Sequence, residues 1–255
     1  MILQRVEQAD WLSNAYLVVD RPGGSGVLID SNGVTEPLVE RVEREGTEIT
    51  HVLLTHHHYD HVVGAERLAE RFGVPVLAHE LCAELLDEVV TDTIGDGDVV
   101  ESGGLRIDVI PVPGHCADQL ALLVDGTDCI TADVLFKGTV GGTRAPGATG
   151  IGDHRASIMD RLMKLAPETR IHPGHREPST VGEEWETNPF IRVWRGLDEP
   201  AEEPCAVGPP DGERQAATLV LWAPDYDGGN KAWVRFGDGE EAIVGGSQVR
   251  RTRTG

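Results

Sequence analysis

Residues 49–54 are apolar and β-prone, as in a buried strand, and from 62 to 72 Ala65, Leu68, Ala69 and Phe72 recur at helical spacing up to Gly73. The chain on either side repeats this alternation. Residues 14–19 and 27–29 form two strands of a hairpin across a Pro-Gly-Gly turn, ending at Asp30. Leu38, Val39 and Val42 mark an amphipathic helix over 36–44. A short strand follows at 75–78, then two strands within 99–112 around Gly103-Gly104, the second alternating apolar and polar. Residues 120–124 and 129–132 read as another hairpin, with Asp133 at its end. Ile158, Leu162 and Leu165 share one face of a helix over 157–165, and 169–172 is a strand. Thr180 with Glu183 has capping-box spacing and starts a further helix. Strand hairpins followed by helix, twice over, predict two sheets packed together with helices outside.

The pattern breaks after Gly196. Residues 198–215 are rich in Pro, Gly and acid and read as a linker, which makes 1–197 the main domain. Residues 216–255 follow as a small β module of four strands, at 218–222, 231–236, 241–244 and 247–250. About forty residues make a weak independent core, so the module is expected to dock on the main domain or on a second copy in a homodimer. Its aromatics, Trp222, Tyr226, Trp233 and Phe236, are read as its own core rather than a recognition surface. Arg250, Arg251 and Arg253 are read as a solvated tail.

Composition narrows the class. A net charge of −21 opposes non-specific nucleic-acid binding. No apolar run approaches the length of a membrane span, and the N-terminus lacks a signal-peptide pattern, so a cytoplasmic protein is expected. Cys82, Cys116, Cys129 and Cys205 are scattered, with neither disulfide-framework nor zinc-finger spacing.

The chemistry lies in Thr55-His56-His57-His58-Tyr59-Asp60-His61, where His56, His58, Asp60 and His61 fit H-x-H-x-D-H. Imidazole and carboxylate are the usual ligands of zinc and its neighbours. Residues two apart on an extended segment point the same way, so His56 and His58 can reach one ion. Asp60 and His61 fall where the helix begins and are free to serve another. His115 and His175 each follow a strand and a Pro-Gly pair, and Asp133 ends a strand. His51 and His57 are expected to face away, His172 to be a core or supporting histidine, and His154, in a Gly-rich loop, to be exposed. Cys116 is read as a buried filler, and Asp30 as a turn cap or a brace for the metal loop.

With these motifs, about residues 10–196 resemble the metallo-β-lactamase superfamily in its glyoxalase II-like branch. Leu135-Phe136-Lys137-Gly138 and Asn188-Pro189-Phe190 extend the likeness beyond the ligands. The resemblance implies an α+β fold, a four-layer αβ/βα sandwich with a dinuclear site at the sheet edges. It implies His56, His58 and His115 on a first metal, Asp60, His61 and His175 on a second, Asp133 bridging, and Asp30 as a brace. Two ions sharing a carboxylate can hold a water and lower its pKa toward neutrality, giving a hydroxide nucleophile. The chain departs from the branch at Ala132 and Arg176, where Gly is common, and in carrying a β module instead of a helical C-terminal domain.

The expected activity is therefore a two-zinc hydrolase acting on a small-molecule thioester or related ester, with Asp60 accepting a proton. The alternatives are a persulfide dioxygenase holding one iron through His56, His115 and Asp133, and a lactonase.

Overall fold

A computed structural model describes residues 1–251 of the chain; Arg253 lies outside them. Strands β1 (Ile2–Glu7), β2 (Asn14–Val19), β3 (Ser25–Ile29), β4 (Glu48–Leu53), β5 (Val76–Ala78) and β6 (Asp92–Thr93) make the first sheet, side by side in chain order. The first two pairings are antiparallel and the rest parallel. Helices α1 (Glu36–Glu45), α2 (Tyr59–Val62), α3 (Ala65–Phe72) and α4 (Glu80–Leu85) make the connections. The second sheet starts from β7 (Val99–Ser102), β8 (Leu105–Pro111), β9 (Leu120–Val124) and β10 (Asp128–Ala132). After a small hairpin of β11 (Leu135–Phe136) and β12 (Thr139–Val140), it gains β13 (Arg170–Pro173) and β14 (Ser179–Thr180). Its order is β14-β13-β10-β9-β8-β7, with β10 and β13 parallel. Helices α5 (Ile151–Ala156), α6 (Val181–Thr187) and α7 (Pro189–Trp194) cover it.

The layers follow from the period of two along a strand. In β2, Ala15, Leu17 and Val19 face α1 and α3, where Leu38, Val42 and Leu68 are buried. The intervening Tyr16 and Val18 face Ile107, Val109, Leu120 and Leu122 of the second sheet. The far side of that sheet, including Ala121, Cys129 and Ile171, packs on Ile158, Leu162, Phe190 and Trp194. Helix, sheet, sheet, helix is the expected α+β sandwich.

The C-terminal region is one antiparallel sheet of β15 (Glu203–Val207), β16 (Gln215–Pro224), β17 (Asn230–Phe236), β18 (Glu241–Gly245) and β19 (Val249–Arg251), in the order β18-β17-β16-β15-β19. Five strands, not four, form it, because the segment read as a linker supplies β15. Cys205 and Val207 of that strand are buried, and the Pro and Gly around them hid the alternation. One face of this sheet buries Leu219, Val234 and Phe236 in its own cluster. The other face sends Val220, Ala223, Trp233 and Ile243 into the core of the main domain.

Other boundaries moved as well. β1 was not foreseen, since its residues are only half-buried. The helix read over 62–72 breaks at Val63, and Gly64, at φ +93°, starts the second piece. The helix read from 157 begins at Ile151, and the residues from Ser157 continue it as a π turn. Among the described residues no helix is long and apolar enough to cross a membrane.

Candidate metal centre

The seven candidate ligands reach one place by four routes. The loop after β4 brings His56 and His58, and α2 brings Asp60 and His61. His115 follows β8, Asp133 follows β10, and His175 follows β13. All lie beyond the C-terminal ends of strands, the usual position for sites in layered α/β proteins. The close approach needs glycine at Gly174, where a Cβ would lie 2.0 Å from Asp133 Oδ1 and 2.9 Å from His61 Cε1. Gly114, at φ +141°, similarly lets the backbone before His115 pack on His154, whose Cα would lie 2.3 Å from an added Cβ. The two Pro-Gly-His runs thus have a steric basis, not only a ligand at their end.

The donor atoms fall into two clusters, each spanning no more than 4.8 Å: His56, His58, His115 and Asp133, and Asp60, His61 and His175. Asp133 faces both. Its Oδ2 is 3.6 Å from His115 Nε2 and 3.3 Å from His175 Nε2, and its Oδ1 is 3.4 Å from His61 Nε2. Asp60 Oδ2 is 3.5 Å from His61 Nε2 and 3.6 Å from His175 Nε2. Two donors about 2.1 Å from one tetrahedral ion stand about 3.4 Å apart, so these separations suit ligands around an ion better than hydrogen-bonded neighbours. The buried atoms agree. His56 Nε2, His61 Nε2 and Asp133 Oδ1 have no hydrogen-bond partner among the described residues. The donor set therefore fits divalent metal.

The far side of each imidazole is held. His61 Nδ1–H donates to Asp30 Oδ2 at 2.9 Å, His115 Nδ1–H to the Gly142 carbonyl at 2.8 Å, and His175 Nδ1–H to the Trp11 carbonyl at 3.0 Å. His56 Nδ1–H reaches Thr55 Oγ1 at 3.0 Å. These four histidines present a bare Nε2 inward, whereas His58 is reversed: its Nε2–H donates to the Pro146 carbonyl at 3.0 Å and Nδ1 faces the cluster. Such bonds fix tautomer and ring orientation. Asp30 braces the site, accepting also from the Thr55 N–H and hydroxyl, both at 2.8 Å.

The charges suit a cation. Burial, with the neighbouring imidazoles, holds His56 well below the usual histidine range, and burial drops His115 to about 4. Burial opposes charge on His61 and Asp133 too, but Asp133 and Asp30 outweigh it at His61. His175 and His61 outweigh it at Asp133, whose carboxyl is held well below its usual range. A protonated histidine or a bound cation satisfies that pairing equally.

Several other residues lie where the sequence did not put them. His154 is fully buried rather than exposed, because Gly114 and Gly141 pack directly on it, and burial pushes it down to about 3. Tyr226 does not belong to the C-terminal sheet's own core. It stacks on His175, ring centroids 4.5 Å apart and planes 18° apart. Trp11 and Pro146 also line the site and were missed. For Tyr226 one signal was available: it sits in an Asp-Tyr-Asp-Gly-Gly turn, off the alternation of the strands. His51 and His57 are outside the two clusters. His57 bonds Asp118 Oδ1 at 2.8 Å. His172 is a buried histidine bonded to Asp128 at 2.8 Å. Cys116 is fully buried, with its thiol pushed up by burial, and its Sγ lies within 4.8 Å of donor nitrogens of His57 and His58.

Comparison with known proteins gives the same picture. The Metallo-beta-lactamase superfamily sequence profile matches residues 9–175. A hydroxyacylglutathione hydrolase of Chromohalobacter salexigens is 31% identical over 206 residues, covering 66% of this chain and 78% of that protein. The crystal structure of TTHA1623 in a di-iron-bound form is 33% identical, with a TM-score of 0.63, covering 73% of this chain and 99% of that one. ETHE1 from Myxococcus xanthus is 26% identical, with a TM-score of 0.67, covering 79% and 93%.

Proposed function

This chain belongs to the metallo-beta-lactamase superfamily, in its glyoxalase II-like branch, and from that premise we propose a two-zinc hydrolase of thioesters or related esters. The observation that carries the reading is the pair of complete donor clusters joined by one carboxylate, Asp133. His56, His58 and His115 would hold one ion, Asp60, His61 and His175 the other, with Asp133 shared. When bound, such ions supply hydroxide near neutral pH and polarise a carbonyl.

The protein's part is orientation and proton handling. Trp11, Gly142, Thr55 and Asp30 fix the imidazoles. Asp60 lines the cavity and accepts a proton as the acyl bond is cleaved. The 31% identity to a hydroxyacylglutathione hydrolase supports the thioester class.

A second reading, a persulfide dioxygenase with one iron on His56, His115 and Asp133, is supported by those three sharing the first cluster. Elemental analysis of protein purified without added metal separates the two. About two zinc ions per chain, with thioester turnover lost on chelation, is the expected result. A single iron per chain, with oxygen uptake on a thiol persulfide, would replace the hydrolase reading by the dioxygenase one.

A further inference from the structure

The metal-facing cavity, about 470 Å³, has a wall that the main domain does not supply. Tyr226, in the turn between β16 and β17, lines it together with His58, Tyr59 and Asp60. Its ring lies against His175 on one side and 4.8 Å from the Phe136 ring.

This placement is built. β16 carries a bulge between Leu219 and Leu221, and Val220, with the partly buried Leu221, packs in the main domain's cluster. Arg176, directly after His175, donates from Nε to the Tyr226 carbonyl at 3.4 Å. At the base of the turn Lys231 pairs with Asp225 at 3.0 Å, both side chains buried, and its Nζ stands 5.3 Å from the Tyr226 ring centre. The same sheet holds another part of the rim. The Thr143 N–H donates to the Ile243 carbonyl at 2.9 Å, and the Ile243 N–H to Thr143 Oγ1 at 2.9 Å. The segment pinned there leads into Ala145 and Pro146, which also line the cavity.

The chemistry of the wall is aromatic and uncharged. Besides the candidate ligands, the cavity is lined by Trp11, Tyr59, Ala145, Pro146 and Tyr226, with no Lys or Arg among the described residues. An adjoining cavity of about 430 Å³, shared through His175 and Tyr226, does contain Lys137 and Arg176, but also Glu177, Asp225 and Asp227. Each of these cations stands beside a carboxylate: Lys137 is 3.6 Å from Glu183 and Arg176 3.2 Å from Glu7. With a net charge of −21 behind them, these groups offer little to an anionic substrate arm.

We propose that the C-terminal sheet completes the substrate pocket, with the Tyr226 ring as a positioning residue, and that the substrate is an uncharged ester or thioester with an aromatic or aliphatic arm. The choice of an acyl compound rests on the hydrolase reading above. The pocket does not, and it is tested separately by binding.

Calorimetry on the full, zinc-loaded chain would compare phenylacetamide, an uncharged analogue that is not rapidly hydrolysed, with its para-carboxylate derivative. The wild type is expected to bind the neutral compound about tenfold more tightly than the carboxylate at low salt. Tyr226→Ala is expected to weaken the neutral compound about tenfold, and Tyr226→Phe to restore it to within about twofold. Metal content and melting temperature, checked in parallel, should stay at the wild-type level. With phenyl thioacetate as substrate, the Ala variant should raise KM about tenfold and change kcat by less than about threefold. Binding unchanged in Tyr226→Ala, equal loss in Tyr226→Phe, a preference for the carboxylate, or no binding of either compound would each overturn the proposal. Tight binding by a protein that hydrolyses no ester or thioester would support the pocket and remove the hydrolase reading instead.

Discussion

Asp30 shows how a residue that touches no metal can decide what the site holds. It sits at φ +59° just past β3, fully enclosed, and accepts three bonds, from the Thr55 N–H, the Thr55 hydroxyl and His61 Nδ1. Its carboxylate thereby fixes which nitrogen of His61 faces Asp60 and Asp133. Asp30→Asn replaces one acceptor oxygen with an N–H and must break or reverse at least one of the three. Affinity at the Asp60, His61 and His175 position is expected to fall about 10- to 100-fold, with the other position much less affected. Chelator competition on the metal-loaded protein measures this, and equal affinities in variant and wild type would show that Asp30 has no such role. The donor residues were legible in the sequence because metal chemistry limits both residue type and spacing. The bracing role of Asp30 was legible only through the family resemblance, because an acid at a strand end by itself reads the same whether it caps a turn or braces a histidine. His154 was misread for a related reason: a Gly-rich loop suggests exposure, but Gly114 packs on its backbone and Gly141 on its ring.

Among the elements, the parallel pair β10 and β13 carries the most consequence, since one strand leads to Asp133 and the other to His175. Their alignment is pinned at the far end by Asp128, nearly inaccessible on β10. It accepts from Arg170 Nε at 2.6 Å and Nη2 at 2.5 Å, and from His172 Nε2 at 2.8 Å, all on β13. Burial opposes the charge, but these donors and Thr127 outweigh it and hold the carboxyl well below the usual range. A depressed folded pKa means stability that is present above the unfolded value, near 4, and is lost as pH falls toward the folded one. Asp128→Asn is expected to cost about 2 kcal/mol at neutral pH, with the gap to wild type closing below about pH 4. Denaturant unfolding at several pH values tests this, and a gap that stays constant down to pH 2 would contradict it. Most strands were legible because the central strands of both sheets are buried on both faces and leave short continuous apolar runs, while β8 alternates. The exceptions are instructive: β1 is half-buried on both faces and lacks alternation, β15 lies among prolines, and the break before α3 depends on Gly64 adopting a conformation that periodicity does not report.

At the scale of the whole molecule, the question is what the C-terminal sheet does for a domain that could bind metal without it. Val220, Ala223, Trp233 and Ile243 cover a surface of the main domain formed by Ile158, Leu162 and Trp194, among others. Trp233 and Trp194 have ring centroids 6.3 Å apart across this contact. Removing the sheet would expose that apolar surface on a chain whose solubility otherwise rests on its acidic charge, and would take away the Tyr226 wall of the cavity. A chain ending at Gly196 should therefore retain the ligand residues yet aggregate, or melt well below the full protein, and lose discrimination between substrates before it loses metal. Size-exclusion chromatography, thermal melting and metal content on the same preparation separate these effects. If the truncated chain stayed monodisperse, melted with the full protein and kept its KM, the sheet would be neither cover nor wall, and its contacts with the site would need another purpose. Partial outcomes also discriminate: good solubility with a raised KM assigns the sheet to the pocket, whereas aggregation with normal KM in the soluble fraction assigns it to packing alone.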